Sequence, residues 1–142
     1  MTYESIEVKP VTRRIGAEIF GVDLASPSNR QVQELHDALI RHQVLFFRDQ
    51  HMTHDEHKAF GRLFGPLMIH SGVSGLPDHP EVVEIRGDKD SKFVAGEHWH
   101  SDLTADATPP LGSILYLHTV PEVGGDTNFA SMYRPTMRFR TR

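Results

Sequence analysis

Cysteine is absent from the 142-residue chain. That removes disulfides, thiolate metal sites and a cysteine nucleophile. No apolar run approaches the roughly 18 residues of a membrane span. The opening residues Met1-Thr2-Tyr3-Glu4-Ser5 carry no basic segment followed by an apolar one, so no signal peptide is legible. Excess positive charge is missing too: the formal net charge is −4, which argues against a general nucleic-acid binder. A cytoplasmic protein with neither a nucleic-acid nor a membrane partner is the expectation. Hydrophobic residues make up 38% and charged residues 24%, values that suit a globular chain rather than a disordered one. The length suits one domain and is short for two.

What the chain has in quantity is histidine, ten in all, and the densest chemistry lies in Gly96-Glu97-His98-Trp99-His100-Ser101-Asp102-Leu103-Thr104. If this piece is extended, alternate side chains share a face, and His98, His100 and Asp102 point one way. Two imidazoles and a carboxylate form a ligand set for a divalent metal. An exposed polar strand with accidental alternation has the same spacing, so the motif alone decides nothing.

Local signals divide the rest. Ile6-Glu7-Val8-Lys9 alternates as a short strand. A second extended piece spans Ala17 to Leu24, with Gly16 and Gly21 at turn or bulge positions. Ser28 opens a helix with Gln31 completing a capping box, and Val32, Leu35, Ala38 and Leu39 form its apolar stripe. Val44 to Phe47 reads as a buried strand. Thr53 and Glu56 make a second capping box before a helix whose apolar face is Ala59, Phe60, Leu63 and Phe64, ended by Gly65-Pro66. The stretch from His70 to Pro80 is a loop, Glu81 to Ile85 a strand, and Ser113 to Thr119 another. Strands outnumber helices, which suits an α+β domain, mainly β, with two helices covering an antiparallel sheet.

Four ordered blocks go further: Arg41-His42-Gln43-Val44-Leu45-Phe46-Phe47-Arg48-Asp49-Gln50, Trp99-His100-Ser101-Asp102, Pro109-Pro110-Leu111-Gly112-Ser113-Ile114-Leu115, and Gly124-Gly125-Asp126-Thr127. With them the chain resembles the taurine dioxygenase family (TauD/TfdA), iron(II)- and 2-oxoglutarate-dependent oxygenases, from about residue 6 to Tyr133. The resemblance implies part of a double-stranded β-helix, or jelly-roll. It implies Fe(II) held by His100 and Asp102, with 2-oxoglutarate as co-substrate and dioxygen as oxidant. Thr127 would bind the distal carboxylate of 2-oxoglutarate, beside Phe129, and His70 the anionic head of the substrate. Taurine-specific members place a tyrosine and an asparagine, which help hold the substrate's amine end, where this chain has Val73 and Gly96, neither of which offers an ammonium a side-chain acceptor. The implied substrate is therefore a small anionic molecule of the taurine-like class: a sulfonate, a sulfate ester or an aryloxy acid.

In the family a third ligand, histidine, and an arginine for 2-oxoglutarate come from a later strand. Ser131-Met132-Tyr133 follows the family pattern, whereas Arg134 to Arg142 does not. The expectation is a single, C-terminally incomplete dioxygenase domain over 1–142, catalytically dead alone. A homo-oligomer is a further expectation, and three alternatives stay open: an inactive remnant, an interaction partner of a full-length relative, and a zinc hydrolase using His98, His100 and Asp102. Of the other histidines, His118 is a weak candidate for the third ligand, and His36, His42, His51, His54, His57 and His79 read as surface residues.

Overall fold

The structure, a computed structural model, describes residues 2–88, 90–92, 96 and 98–133. The tail Arg134 to Arg142 therefore lies outside the described residues, as does Glu97 of the histidine-rich stretch. The chain gathers into two compact units, Met1–His51 with Leu117–Arg142, and Met52–Tyr116.

The first unit is built on a three-stranded sheet in the order β1-β2-β3. Strand β1 (Glu7–Pro10) pairs antiparallel with β2 (Ala17–Phe20), Glu7 opposite Phe20 and Pro10 opposite Ala17. The intervening turn needs Gly16, whose φ is +85°. That is the left-handed region, where a side chain is disfavoured. Strand β3 (Leu45–Phe47) runs parallel to β2, Ala17 opposite Leu45. This departs from the antiparallel sheet expected. Parallel neighbours need a crossover connection, and helix α1 (Asn29–His42) supplies it, returning the chain so that β3 enters in the same direction as β2.

Alternation along β2 sets its faces. Ala17 and Ile19 are buried, and with Ile6, Leu24, Leu35 and Ala38 they form the core of this unit. Glu18 points the other way and accepts from Arg48 Nε at 2.8 Å. Val44 to Phe47, expected to be buried, is only half-buried. Helix α1 begins where the capping box placed it: Gln31 N–H donates to Ser28 Oγ at 3.3 Å, and Gln31 Oε1 accepts from Ser28 N at 2.9 Å. Its end is a left-handed Gln43, φ +67°, whose N–H donates to Leu39 O.

The least anticipated residue of this unit is Glu34. Its buried carboxylate accepts from the backbone N–H groups of Glu4 and Ser5 at 2.9 Å and Ile6 at 3.2 Å, from Ser5 Oγ at 2.9 Å and from Arg30 Nε at 3.2 Å. Burial alone pushes its pKa up, but these donors outweigh it and hold the group down at about 2. Glu34 thus ties the N-terminal segment to α1.

The second unit carries helix α2 (His54–Arg62), opened by the expected Thr53–Glu56 capping box. Phe60 is buried and meets Phe64 edge-on at 5.4 Å. Ala59 and Leu63, expected on the apolar face, are exposed. The region 81–85 is not a strand: Glu81 lies in a turn in which Val82 N–H donates to His79 O at 2.9 Å, Leu76 N–H donates to Val82 O at 2.9 Å, and 82–85 has no regular structure. Ser113 to Thr119 forms no ladder either, and Leu115 and Leu117 stand 58% and 59% exposed. A strand exists through its neighbours' hydrogen bonds, and these residues have no partner strand among those described. The α+β character holds, but the helices contain more residues than the strands. Among the described residues no helix is long and apolar enough to cross a membrane.

Candidate functional site

The histidine-rich stretch is not an extended strand. The backbone reverses just after Asp102: Leu103 has φ +50°, Asp106 N–H donates to Leu103 O at 3.1 Å, and the hydroxyls of Ser101 and Thr104 meet at 2.8 Å. The described residues 98–102 join no sheet, so no ladder holds the three candidate ligands on one face. His98 contributes its carbonyl rather than its ring, accepting from His100 Nδ1 at 2.8 Å. Among the described residues no group of three or more His, Cys, Asp or Glu is placed to hold a metal. The His98, His100, Asp102 set needed for a zinc hydrolase is therefore not assembled.

What is assembled is the pair. His100 Nε2 lies 3.2 Å from Asp102 Oδ1. A carbonyl can only accept, so the proton on the His98 side sits on Nδ1 and the Nε2 edge faces the carboxylate. Ser113 Oγ donates to the other carboxylate oxygen, Oδ2, at 2.8 Å. Both side chains of the pair are just over half exposed, so the donors are open to an ion from solvent. Gly96, φ +92°, lies near the ring: a Cβ there would stand 3.7 Å from His100 Cε1.

This arrangement fits a divalent metal. Neighbouring ligands on an octahedral ion with bonds of about 2.1 Å stand about 3 Å apart, close to the separation observed. A histidine whose second ring nitrogen donates to a backbone carbonyl, and a carboxylate held by a hydroxyl, are the supports metal ligands commonly have. Imidazole nitrogen and carboxylate oxygen suit iron(II) without sulfur.

His70 is half-buried in its loop, and its Nδ1 accepts from the N–H groups of Gly72 at 3.0 Å and Val73 at 2.9 Å. The ring proton therefore sits on Nε2, which makes that atom a hydrogen-bond donor. In the first unit Gly124 and Gly125 have φ of +80° and +73°, and Thr127 follows them as an exposed residue. Phe129 meets Phe46 edge-on at 5.9 Å. His118 is exposed. Of the histidines expected at the surface, only His51 is exposed; His36, His42, His54, His57 and His79 are half-buried. His79 Nδ1 lies 2.8 Å from Lys58 Nζ, and burial, with Arg41 adding to it, holds the His42 imidazole below its ordinary range. Two open clefts of the first unit, ≈ 340 and ≈ 430 Å³, are lined by other residues, Asp23 and Asp49 in one and Arg13 and Arg14 in the other.

Sequence reasoning missed Ser113 as a partner of the site. It lies eleven positions after Asp102 and reads there as one residue of a β-favouring run.

Comparison with known proteins gives the site its context. The chain is 38% identical over 131 residues to an alkylsulfatase of Acinetobacter baylyi, an alignment covering 90% of this chain and 40% of that protein. It is 34% identical over 131 residues to an (S)-phenoxypropionate/alpha-ketoglutarate-dioxygenase of Sphingobium herbicidovorans, covering 90% and 46%. Among solved structures it is similar to a taurine dioxygenase from Burkholderia xenovorans, with TM-score 0.59 and 38% identity over 75% of this chain and 38% of the other. The chain thus spans less than half the length of these relatives. Residues 7–136 match the family of the taurine catabolism dioxygenase TauD, TfdA. The chain belongs to the taurine catabolism dioxygenase TauD, TfdA family.

Proposed function

We propose that this chain is the metal-binding part of an iron(II)- and 2-oxoglutarate-dependent dioxygenase that hydroxylates a small anionic organic substrate. The observation that carries the reading is the His100–Asp102 pair, with donors 3.2 Å apart, inside a segment that matches the family. In the overall reaction 2-oxoglutarate, dioxygen and a substrate C–H give succinate, carbon dioxide and a hydroxylated product, one oxygen atom going to each organic product. Iron(II), when bound, supplies the oxidising chemistry with dioxygen.

The protein's own residues bind and orient. His100 Nε2 and Asp102 Oδ1 hold the ion, and His98 O fixes the His100 tautomer. Thr127 donates its hydroxyl to the distal carboxylate of 2-oxoglutarate. His70 Nε2–H donates to the anionic head of the substrate, a role its Nδ1 contacts support by placing the proton on the right nitrogen. Val73 and Gly96 offer an ammonium group no side-chain acceptor, which disfavours taurine itself. Relatives named for an alkyl sulfate and for a phenoxypropionate favour a sulfate ester or an aryloxy acid, with sulfonates alongside. The fold that goes with this reading is part of a double-stranded β-helix, or jelly-roll.

The test uses a protein completed with the corresponding region of the Acinetobacter relative. Anaerobic iron(II) with 2-oxoglutarate should give a weak visible charge-transfer band, lost in His100→Ala and Asp102→Ala and kept in His98→Ala. Succinate should then form with sulfate esters or aryloxy acids. No band together with zinc-dependent hydrolysis would overturn the proposal. A second reading, an association module without activity, rests on the exposed apolar side chains Leu115, Leu117, Val120 and Val123. It predicts no succinate and a tight complex with a full-length relative.

A further inference from the structure

We infer that Ser113 is a positioning residue for the metal-binding carboxylate, holding Asp102 so that a single oxygen faces the ion. This rests on reading the His100–Asp102 pair as the metal site. Asp102 has two chemically equivalent oxygens and, left alone, can turn either of them, or both, toward a cation. Ser113 removes that freedom. Its Oγ–H donates to Oδ2 at 2.8 Å, and the opposite oxygen, Oδ1, is the one that stands 3.2 Å from His100 Nε2. On the other side, His98 O accepts from His100 Nδ1 at 2.8 Å and leaves Nε2 facing inward. Each ligand therefore has one atom tied by the fold and one presented. The two ties come from different places: one is local, two residues back, and the other arrives from a segment eleven residues on.

Ser113 has no competing packing role. It is exposed, its neighbour Gly112 has no side chain, and Ile114 is 41% exposed. A hydroxyl at such a position contributes through its hydrogen bond. Supports of this kind change metal affinity about 10- to 100-fold when removed.

The experiment uses the 142-residue chain with Mn(II) as an oxygen- and nitrogen-binding probe for iron(II). Broadening of the His100 ring signals in proton NMR reports binding at this site even when it is weak. Three variants are compared with the parent: Ser113→Thr, Ser113→Val and His100→Ala, the last followed through backbone amide signals near Asp102. Threonine and valine have nearly the same shape and differ in the hydroxyl, so any packing change cancels between them. Far-UV circular dichroism checks that both fold alike. The expected result is that Ser113→Thr binds within about twofold of the parent and Ser113→Val about 10-fold or more weaker. Equal affinity of the threonine and valine variants, with binding lost in His100→Ala, overturns the role of Ser113 and leaves the metal site standing. If the parent does not bind, or His100→Ala binds as well as the parent, the metal site itself falls and the role of Ser113 with it.

Discussion

Replacing Leu35 with alanine is the sharpest test of how the first unit is held together. Leu35 is 0% exposed, the largest wholly buried side chain among the described residues, on the helix face that also buries Ala38. Truncation removes three carbons, each worth about 0.8 kcal/mol when buried. The cavity left behind adds to this, which places the cost at about 3–4 kcal/mol, inside the usual range of about 2–5 for such changes. Ile40 lies on the same helix, loses the same number of carbons on truncation, and is 66% exposed; Ile40→Ala should cost about 0.5 kcal/mol or less. With a urea slope of about 1.5 kcal/mol per molar, Leu35→Ala moves the midpoint down by about 2 M and Ile40→Ala by about 0.3 M. Urea titration followed by far-UV circular dichroism reads both. Complete loss of the folding transition in Leu35→Ala counts on the same side. Two equal, small shifts would refute the packing, because they would mean that α1 does not bury this face.

Gly16→Ala should cost more than Gly21→Ala by urea titration. Both glycines have φ above +80°, where alanine costs about 1–2 kcal/mol, but a Cβ at Gly16 also meets Phe46 Cε2 at 3.2 Å, whereas the first neighbour at Gly21 is Ser5 O at 4.0 Å. Glu34 makes stability acid-sensitive. Its pKa falls from an ordinary 4.5 to about 2 on folding, so the unfolded chain binds the proton first; the stabilisation is full above about 4.5 and drains away as pH falls toward 2. Glu34→Gln should be less stable near pH 7 and flatter across that window in pH-dependent thermal melts. Leu111, Leu115, Leu117, Val120 and Val123 each expose most of an apolar side chain, and exposed apolar area favours association; sedimentation velocity should show concentration-dependent self-association, reduced by Leu115→Lys with Leu117→Lys. Only His100 and Asp102 of the proposed iron ligands are paired, and no group of three is placed to hold a metal, among the described residues, so the 142-residue chain alone should release no succinate above an iron-only control.

Much of the local structure was legible because its causes are local. Ser28 with Gln31 and Thr53 with Glu56 are partners three residues apart, and a capping box needs nothing from the rest of the chain; both helices start where these pairs put them. Gly16 and Gly21 stand at positive φ for the same reason, since only the missing Cβ matters there. The pairing of His100 with Asp102 was also within reach, being two residues apart. The strands over 81–85 and 113–119 misled, because β-favouring residues become a strand only when a neighbour offers its backbone.

What tertiary structure decided is everything that needs a second segment. The parallel entry of β3 follows from the path of α1, not from any residue in Leu45-Phe46-Phe47. Glu34 reads in sequence as one more helical carboxylate, until the backbone of Glu4, Ser5 and Ile6 closes on it across about thirty positions. His98 has the spacing of a ligand, yet its stretch joins no sheet and it meets His100 through its carbonyl rather than its ring. Ser113 acquires a role only because its segment returns to Asp102. The sequence by itself determined which donors exist and how the chain bends beside them. Which of those donors face one another depended on contacts between residues far apart, and no short-range pattern encodes such contacts.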